Sequence, residues 1–115
     1  MSSLWAKYRH ELDGEVFIEI DTAFVGFKML PAWDHVIITD IYVEPELRKS
    51  GLAKRLVREV CKIAREAGKK YLIGGVDVAA KTAATSLQFQ LALGLVPFAT
   101  ENGRIWMRIE LSKEF

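Results

Sequence analysis

Residues 41–54 read Ile41-Tyr42-Val43-Glu44-Pro45-Glu46-Leu47-Arg48-Lys49-Ser50-Gly51-Leu52-Ala53-Lys54: strand residues, a proline, a polar loop and the start of a helix. The rest of the chain is arranged around this junction. Val36 to Val43 is rich in β-branched and aromatic residues and apolar on both faces, which predicts a central strand covered on both sides. Pro45 ends that strand, because it has no N–H for the ladder and restricts the residue before it. Beyond it, Leu52, Ala53, Leu56, Val57, Val60, Ile63, Ala64 and Ala67 mark one face of an amphipathic helix. Ser50 is the expected N-cap, its side chain taking one of the first turn's free donors. The first turn carries unpaired N–H groups and partial positive charge, so Gly51 and the small Ala53 let a phosphate approach the backbone closely. Arg48, Lys49, Lys54 and Arg55 add charge there. An ordinary capped surface helix has the same composition, so the junction alone leaves both readings open.

With 115 residues, the chain reads as one domain over residues 1–115, large enough for a single core. Half of the residues are hydrophobic and 27% are charged, which excludes a disordered chain. No apolar run approaches the roughly 18 residues of a membrane span, and the N-terminus lacks a signal-peptide pattern; a cytoplasmic location is expected. The lone Cys61 has no internal disulfide partner and falls on or near the helix's apolar face, where packing is the expected role. His10 and His35 have no cysteine or histidine at ligand spacing, so no metal site is expected.

Charge is distributed unevenly. Residues 1–46 hold 9 acids and 3 bases, whereas residues 47–70 hold 9 bases and 2 acids. Nucleic-acid binding by the basic segment is disfavoured because few aromatics interleave the charges. A solvated helix face explains Arg58, Lys62, Arg65 and Lys69 equally well.

In chain order, Ser2 or Ser3 caps a short helix through about Leu12, with Leu4, Trp5, Tyr8 and Leu12 as an approximate apolar stripe. Glu15–Ile20 and Ala23–Leu30 form an antiparallel hairpin around Asp21-Thr22. The central helix closes at Ala67-Gly68. Tyr71–Val78 is a strand interrupted by Gly74-Gly75, which marks a bulge or a close backbone approach. Ala80–Leu93 is a second long helix, capped by Thr82 and stopped by Gly94. Leu95–Thr100 and Arg104–Leu111 form a hairpin around Asn102-Gly103, the dipeptide that a turn with positive φ demands. In the last strand Ile105, Met107, Ile109 and Leu111 share one face.

Arg48-x-x-Gly51-x-Ala53 after Val43-x-Pro45 resembles the acetyl-CoA-binding motif of the GCN5-related N-acetyltransferase family, Arg/Gln-x-x-Gly-x-Gly/Ala after a Val-x-Pro strand end. The order of elements from Glu15 to Leu111 agrees with that family, with a reduced N-terminal region. The resemblance implies an α/β fold: a twisted, mostly antiparallel sheet of about six strands flanked by helices and splayed at the family's fourth and fifth strands. It also implies acetyl transfer from acetyl-CoA to a primary amine by direct attack in a ternary complex. Bases lie near the CoA phosphates in this reading, and an acidic region attracts the cationic amine. The shortened N-terminal region leaves the acceptor unidentified, and a homodimer is compatible with the family.

By the same resemblance, the main chain of Ile41, Tyr42 and Val43 binds the pantetheine arm and polarises the carbonyl. Arg48 belongs to the motif, and the amides of Lys49, Ser50, Gly51, Leu52, Ala53 and Lys54 hold the pyrophosphate. Thr39-Asp40-Ile41-Tyr42-Val43 resembles the family's Glu/Asp-Asp-Leu-Tyr-Val, with Asp40 at the second acidic position and Thr39 where several members carry Glu. Strand alternation sends residues 39 and 40 to opposite faces, so only one lines the site. Asp40 is the candidate general base in this resemblance, and Glu44, Glu46 and Asp77 are its rivals. Counting back from Gly94-Leu95 puts Gln90 at the family's general-acid tyrosine and Ala83 at its asparagine. Gln90 donates hydrogen bonds but gives up no proton near neutral pH, and Ser86 is a weak substitute one turn earlier. Loss of general-acid catalysis costs on the order of 10² to 10⁴ in rate. A catalytically silent acyl-CoA-binding module acting through protein partners is therefore the alternative.

Overall fold

The computed structural model describes residues 4–20 and 22–112. The expected caps Ser2 and Ser3 and the turn residue Asp21 lie outside them. The elements are α1 (Leu4–Asp13), β1 (Val16–Ile20), β2 (Ala23–Lys28), β3 (His35–Val43), a 3-10 turn (Pro45–Leu47), α2 (Leu52–Glu66), β4 (Tyr71–Asp77), α3 (Ala83–Leu93), β5 (Val96–Glu101) and β6 (Arg104–Glu110). The six strands form one sheet in the order β1-β2-β3-β4-β6-β5. All neighbours run antiparallel except β3 and β4. That exception follows from the α2 crossover, since parallel neighbours need a connection longer than a hairpin.

One face of the sheet carries the core. Val25, Phe27, Val36, Leu72, Val76 and Met107 are buried there with Leu56, Val57, Val60, Cys61 and Ala64 of α2 and Leu93 of α3. The i, i+1, i+4, i+5, i+8 spacing of those α2 residues is what aims them all at the sheet. Burying each of the valine, leucine, phenylalanine and methionine side chains among them stabilises the fold by about 1.5–3 kcal/mol. Cys61 is buried among them, as expected, and burial pushes its thiol up to about 11 from 9.0.

β3 is not covered on both faces as its apolar composition predicts. Thr39, Asp40 and Tyr42 are exposed on the face opposite α2. Apolar composition on both faces is ambiguous here because Tyr42 packs along the open surface, stacked on Phe24 at 6.0 Å. The stripe of α1 is also exposed: Leu4, Trp5, Tyr8 and Leu12 face solvent. Polar contacts tie α1 to the strands: Arg9 bridges Glu15 at 2.7 Å, and Asp13, paired with Arg9 at 2.9 Å within the helix, lies 3.7 Å from Lys28 of β2. The C-terminal hairpin follows its turn dipeptide, with φ of 52° at Asn102 and 75° at Gly103. The second long helix begins at Ala83, later than the predicted Ala80, and Thr82 makes no side-chain cap hydrogen bond.

Candidate functional site

The parallel ladder between β3 and β4 has only three rungs, His35 with Tyr71, Val36 with Leu72 and Ile37 with Ile73. Beyond it, Ile38–Val43 and Gly74–Asp77 run unpaired to each other, because β4 keeps its partner β6 to the end while β3 follows β2. The strands therefore splay towards the C-terminal end of β3. Main-chain groups of Ile41, Tyr42 and Val43 lie along one side of this wedge.

At the mouth of the wedge the chain turns into α2. The 3-10 turn closes through Leu47 N–H donating to Glu44 O at 2.9 Å, and Glu44 N–H donates to Thr22 O at 3.0 Å. Arg48 folds back: its Nε donates to Val43 O at 3.0 Å and its guanidinium lies 5.8 Å from the Tyr42 ring centroid. Arg48 thus fixes the end of β3 to the loop. Lys49 and Gly51 have φ of 67° and 88°, both left-handed.

Ser50 is not the N-cap. Gly51 holds that position without a side-chain cap hydrogen bond, and Ser50 Oγ donates to Leu47 O instead. Its N–H is also drawn into the turn, donating to Leu47 O at 3.3 Å, so Ser50 leaves the predicted set of free amides. The first intrahelical bond is Arg55 N–H to Gly51 O at 3.0 Å. The amides of Leu52, Ala53 and Lys54 precede it, and helix geometry leaves such donors without an intrahelical acceptor. Among the described residues, its two chain neighbours aside, no atom lies within 4 Å of where a Gly51 Cβ would stand, so the approach to these donors is open. An uncapped, exposed first turn beside Lys49, Lys54 and Arg55 suits a phosphate ester.

Thr39 and Asp40 do not face opposite ways. The β2–β3 register shifts between Gly26 and Phe27, so that Gly26 pairs with Asp40, Phe27 with Ile38, and Thr39 is the extra residue of a β-bulge. Thr39 Oγ1 lies 2.9 Å from the position a Gly26 Cβ would take, which puts both Thr39 and Asp40 on the open face. Alternation fails there because a bulge adds a residue to one strand only, and its signal is the glycine in the partner strand. Thr39 donates its hydroxyl hydrogen bond to Glu15 Oε2. Glu15, whose residue surface is 4% exposed, was legible only as a strand residue.

The alternative carboxylates sit elsewhere: Glu44 and Glu46 are exposed on the loop, and Asp77 accepts a 3.0 Å hydrogen bond from Ala79 N–H. Gln90 and Ser86 are not brought to Thr39 and Asp40. Gln90 is buried, and its Nε2 donates to Gly75 O and to Ser86 Oγ, each at 3.2 Å. Its Oε1 has no hydrogen-bond partner among the described residues. The Gly74-Gly75 pair is explained by packing, with β4 in continuous register against β6. A Cβ on Gly74 would collide with the Gln90 amide, and one on Gly75 would come within 3.0 Å of the Trp106 ring. A concavity of about 510 Å³ lies at the paired end of β4, lined by Arg65, Lys69, Tyr71 and Glu110, and holds none of these groups.

Among the described residues no group of histidine, cysteine or carboxylate side chains is arranged to hold a metal, and no helix is long and apolar enough to cross a membrane. No curated protein matches this sequence. Solved structures share the fold. An acetyltransferase of the GNAT family from Desulfovibrio desulfuricans superposes with a TM-score of 0.74 at 22% identity, over 90% of this chain and 76% of that one. The PaiA N-acetyltransferase of Thermoplasma acidophilum, in complex with coenzyme A, gives 0.72 at 18% identity, over 90% and 65%. YncA, an acetyltransferase from Salmonella typhimurium with its cofactor acetyl-CoA, gives 0.64 at 20% identity, over 94% and 71%. A sequence model of the acetyltransferase (GNAT) family matches residues 2–88, and with that match over most of its length the chain belongs to this family.

Proposed function

We propose that this protein transfers an acetyl group from acetyl-CoA to a primary amine by direct attack in a ternary complex. The observation that carries the proposal is the uncapped first turn of α2, open over Gly51 and set beside the wedge between β3 and β4. The amides of Gly51, Leu52, Ala53 and Lys54 hold the pyrophosphate, with Lys49 and Lys54 adding charge. Arg48 acts indirectly, pinning Val43 so that the main chain of Ile41, Tyr42 and Val43 meets the pantetheine arm in register. Acetyl-CoA supplies a thioester whose thiolate, with a pKa resembling the free cysteine value of about 8.5, leaves without full protonation. Asp40, exposed beside Thr39 on the open face, attracts the ammonium form of the acceptor.

A second reading has a specific observation in its favour. Gln90, standing where the family carries its general-acid tyrosine, is engaged with Gly75 and Ser86, and neither side chain supplies a proton near neutral pH. A CoA-binding module without turnover fits that arrangement. Acetyl-CoA raises the melting temperature in proportion to the logarithm of its concentration under either reading. Thiol release that accelerates with a primary amine occurs only under the first; its absence across an amine panel leaves the second.

A further inference from the structure

We infer that Glu15 is the proton acceptor for the attacking amine and that it acts through the Thr39 hydroxyl, as the buried end of a two-member relay. The inference rests on the acetyl-transfer reading above and names how that site deprotonates its acceptor.

Three observations carry it. Thr39 is exposed at the start of the wedge, two residues past the last β3–β4 rung, while Glu15 beneath it is buried. A hydroxyl has one hydrogen to donate and two lone pairs. Thr39 gives its hydrogen to Glu15 Oε2, so its lone pairs are left for a donor arriving from the wedge, and an ammonium is such a donor. The second observation is the bulge, which turns Thr39 onto the face that strand alternation would deny it. The third is Gly26: a Cβ there would stand 2.9 Å from both Glu15 Oε2 and Thr39 Oγ1, so only glycine leaves room for the contact. The other Glu15 oxygen accepts from Arg9 Nε at 2.7 Å, so the buried carboxylate has a cationic partner besides the Thr39 hydroxyl. The charged groups around the pair are Arg9 and Asp13 of α1, Lys28 of β2, 3.7 Å from Asp13, and Asp40 of β3.

The ammonium N–H gives its proton to Thr39 Oγ1 as the Thr39 hydrogen passes to Glu15 Oε2, leaving a free amine and a neutral Glu15 carboxyl. The amine nitrogen bonds to the thioester carbonyl carbon, the C–S bond breaks with its electron pair going to sulfur, and the second nitrogen proton goes to the departing thiolate. Glu15 then returns its proton through Thr39 to solvent. Glu15 touches no reacting atom and is a positioning residue in this scheme; Thr39 is the catalytic one.

The test measures kcat/KM against pH with acetyl-CoA and three amine probes, butylamine, spermidine and Nα-acetyl-lysine methyl ester, for wild type, Glu15→Gln, Thr39→Val and Thr39→Ser. Glu15→Gln and Thr39→Val should lose about 100-fold or more near neutral pH, with the loss shrinking below about tenfold as pH nears the amine's own value of about 10.4. Solvent then does what the relay did. Thr39→Ser should recover most of what Thr39→Val loses, while CoA affinity stays constant in all four. A second readout needs no turnover: in Thr39→Val, but not in Thr39→Ser, the Glu15 carboxyl carbon resonance should move from its wild-type position, because the carboxylate has lost a hydrogen-bond donor. A pH-independent loss, or an unmoved Glu15 carboxyl resonance in Thr39→Val, overturns the relay alone. Wild-type protein that binds CoA yet acetylates none of the probes overturns the acetyl-transfer reading and the relay with it.

Discussion

Gly51 and Gly68 bracket α2, and replacing each by alanine separates a backbone effect from a ligand effect. Gly51 has φ of 88° and Gly68 of 77°, and at both a Cβ would meet nothing within 4 Å among the described residues beyond its chain neighbours. Each substitution therefore costs only the left-handed conformation, about 1 kcal/mol, or a drop of about 4 °C in melting temperature for a domain of this size. The consequences for coenzyme A differ. At Gly51 the added methyl stands in the open space over the first-turn amides, where a phosphate oxygen must come within about 2.9 Å of nitrogen. Losing one charge-assisted hydrogen bond there removes about 1.5–3 kcal/mol, so Gly51→Ala should weaken the calorimetric Kd for CoA by about 10- to 100-fold. Gly68→Ala should bind CoA as wild type does while melting at the same lowered temperature as Gly51→Ala. Equal affinity in the two variants would refute the placement of the pyrophosphate at the start of α2.

Gly74→Ala drives a methyl into the Gln90 amide and should cost about 1–3 kcal/mol in urea unfolding, and the double variant Gly74→Ala/Gln90→Ala should recover part of that loss, a non-additivity absent if the two residues do not touch. Cys61 stays protonated in the fold up to about 11 whereas the unfolded thiol ionises near 9.0, so its contribution is complete below pH 9 and is lost as pH rises from there towards 11. Relative to Cys61→Ala, wild-type stability should fall by about 2–3 kcal/mol across that interval, and parallel pH curves would contradict the burial of the thiol. Asp40→Asn should raise the KM for cationic amines several-fold without changing CoA affinity; an unchanged KM would remove Asp40 from the acceptor site.

The junction from β3 to α2 was legible because each of its signals is local: a β-branched run, a proline that ends it, and apolar spacing at the helical period. The Asn102-Gly103 hairpin was legible for the same reason. What escaped depends on partners distant in sequence. Thr39 reaches Glu15 only because β2 contributes Gly26 opposite a bulge, and the weak sequence trace of this is one glycine between Val25 and Phe27 in that strand. Ser50 matches an N-cap by type, yet the 3-10 turn offers Leu47 O as a nearer acceptor and takes both its hydroxyl and its amide. Gly74 and Gly75 were readable as a close approach, but the approaching groups, Gln90 and Trp106, come from α3 and β6 on opposite faces. The approximate apolar stripe of α1 was legible, but not that it stays exposed: Arg9, Asp13 and Glu15 hold the helix and leave Trp5 and Tyr8 outside.

Amide resonances of ¹⁵N-labelled protein titrated with coenzyme A locate the diphosphate residue by residue. The largest shifts should fall on Gly51, Leu52, Ala53 and Lys54, with smaller ones along Ile41 to Val43. If those amides stay in place at millimolar CoA, or the shifts gather around Lys69 and Lys70 instead, the first turn of α2 does not hold the diphosphate.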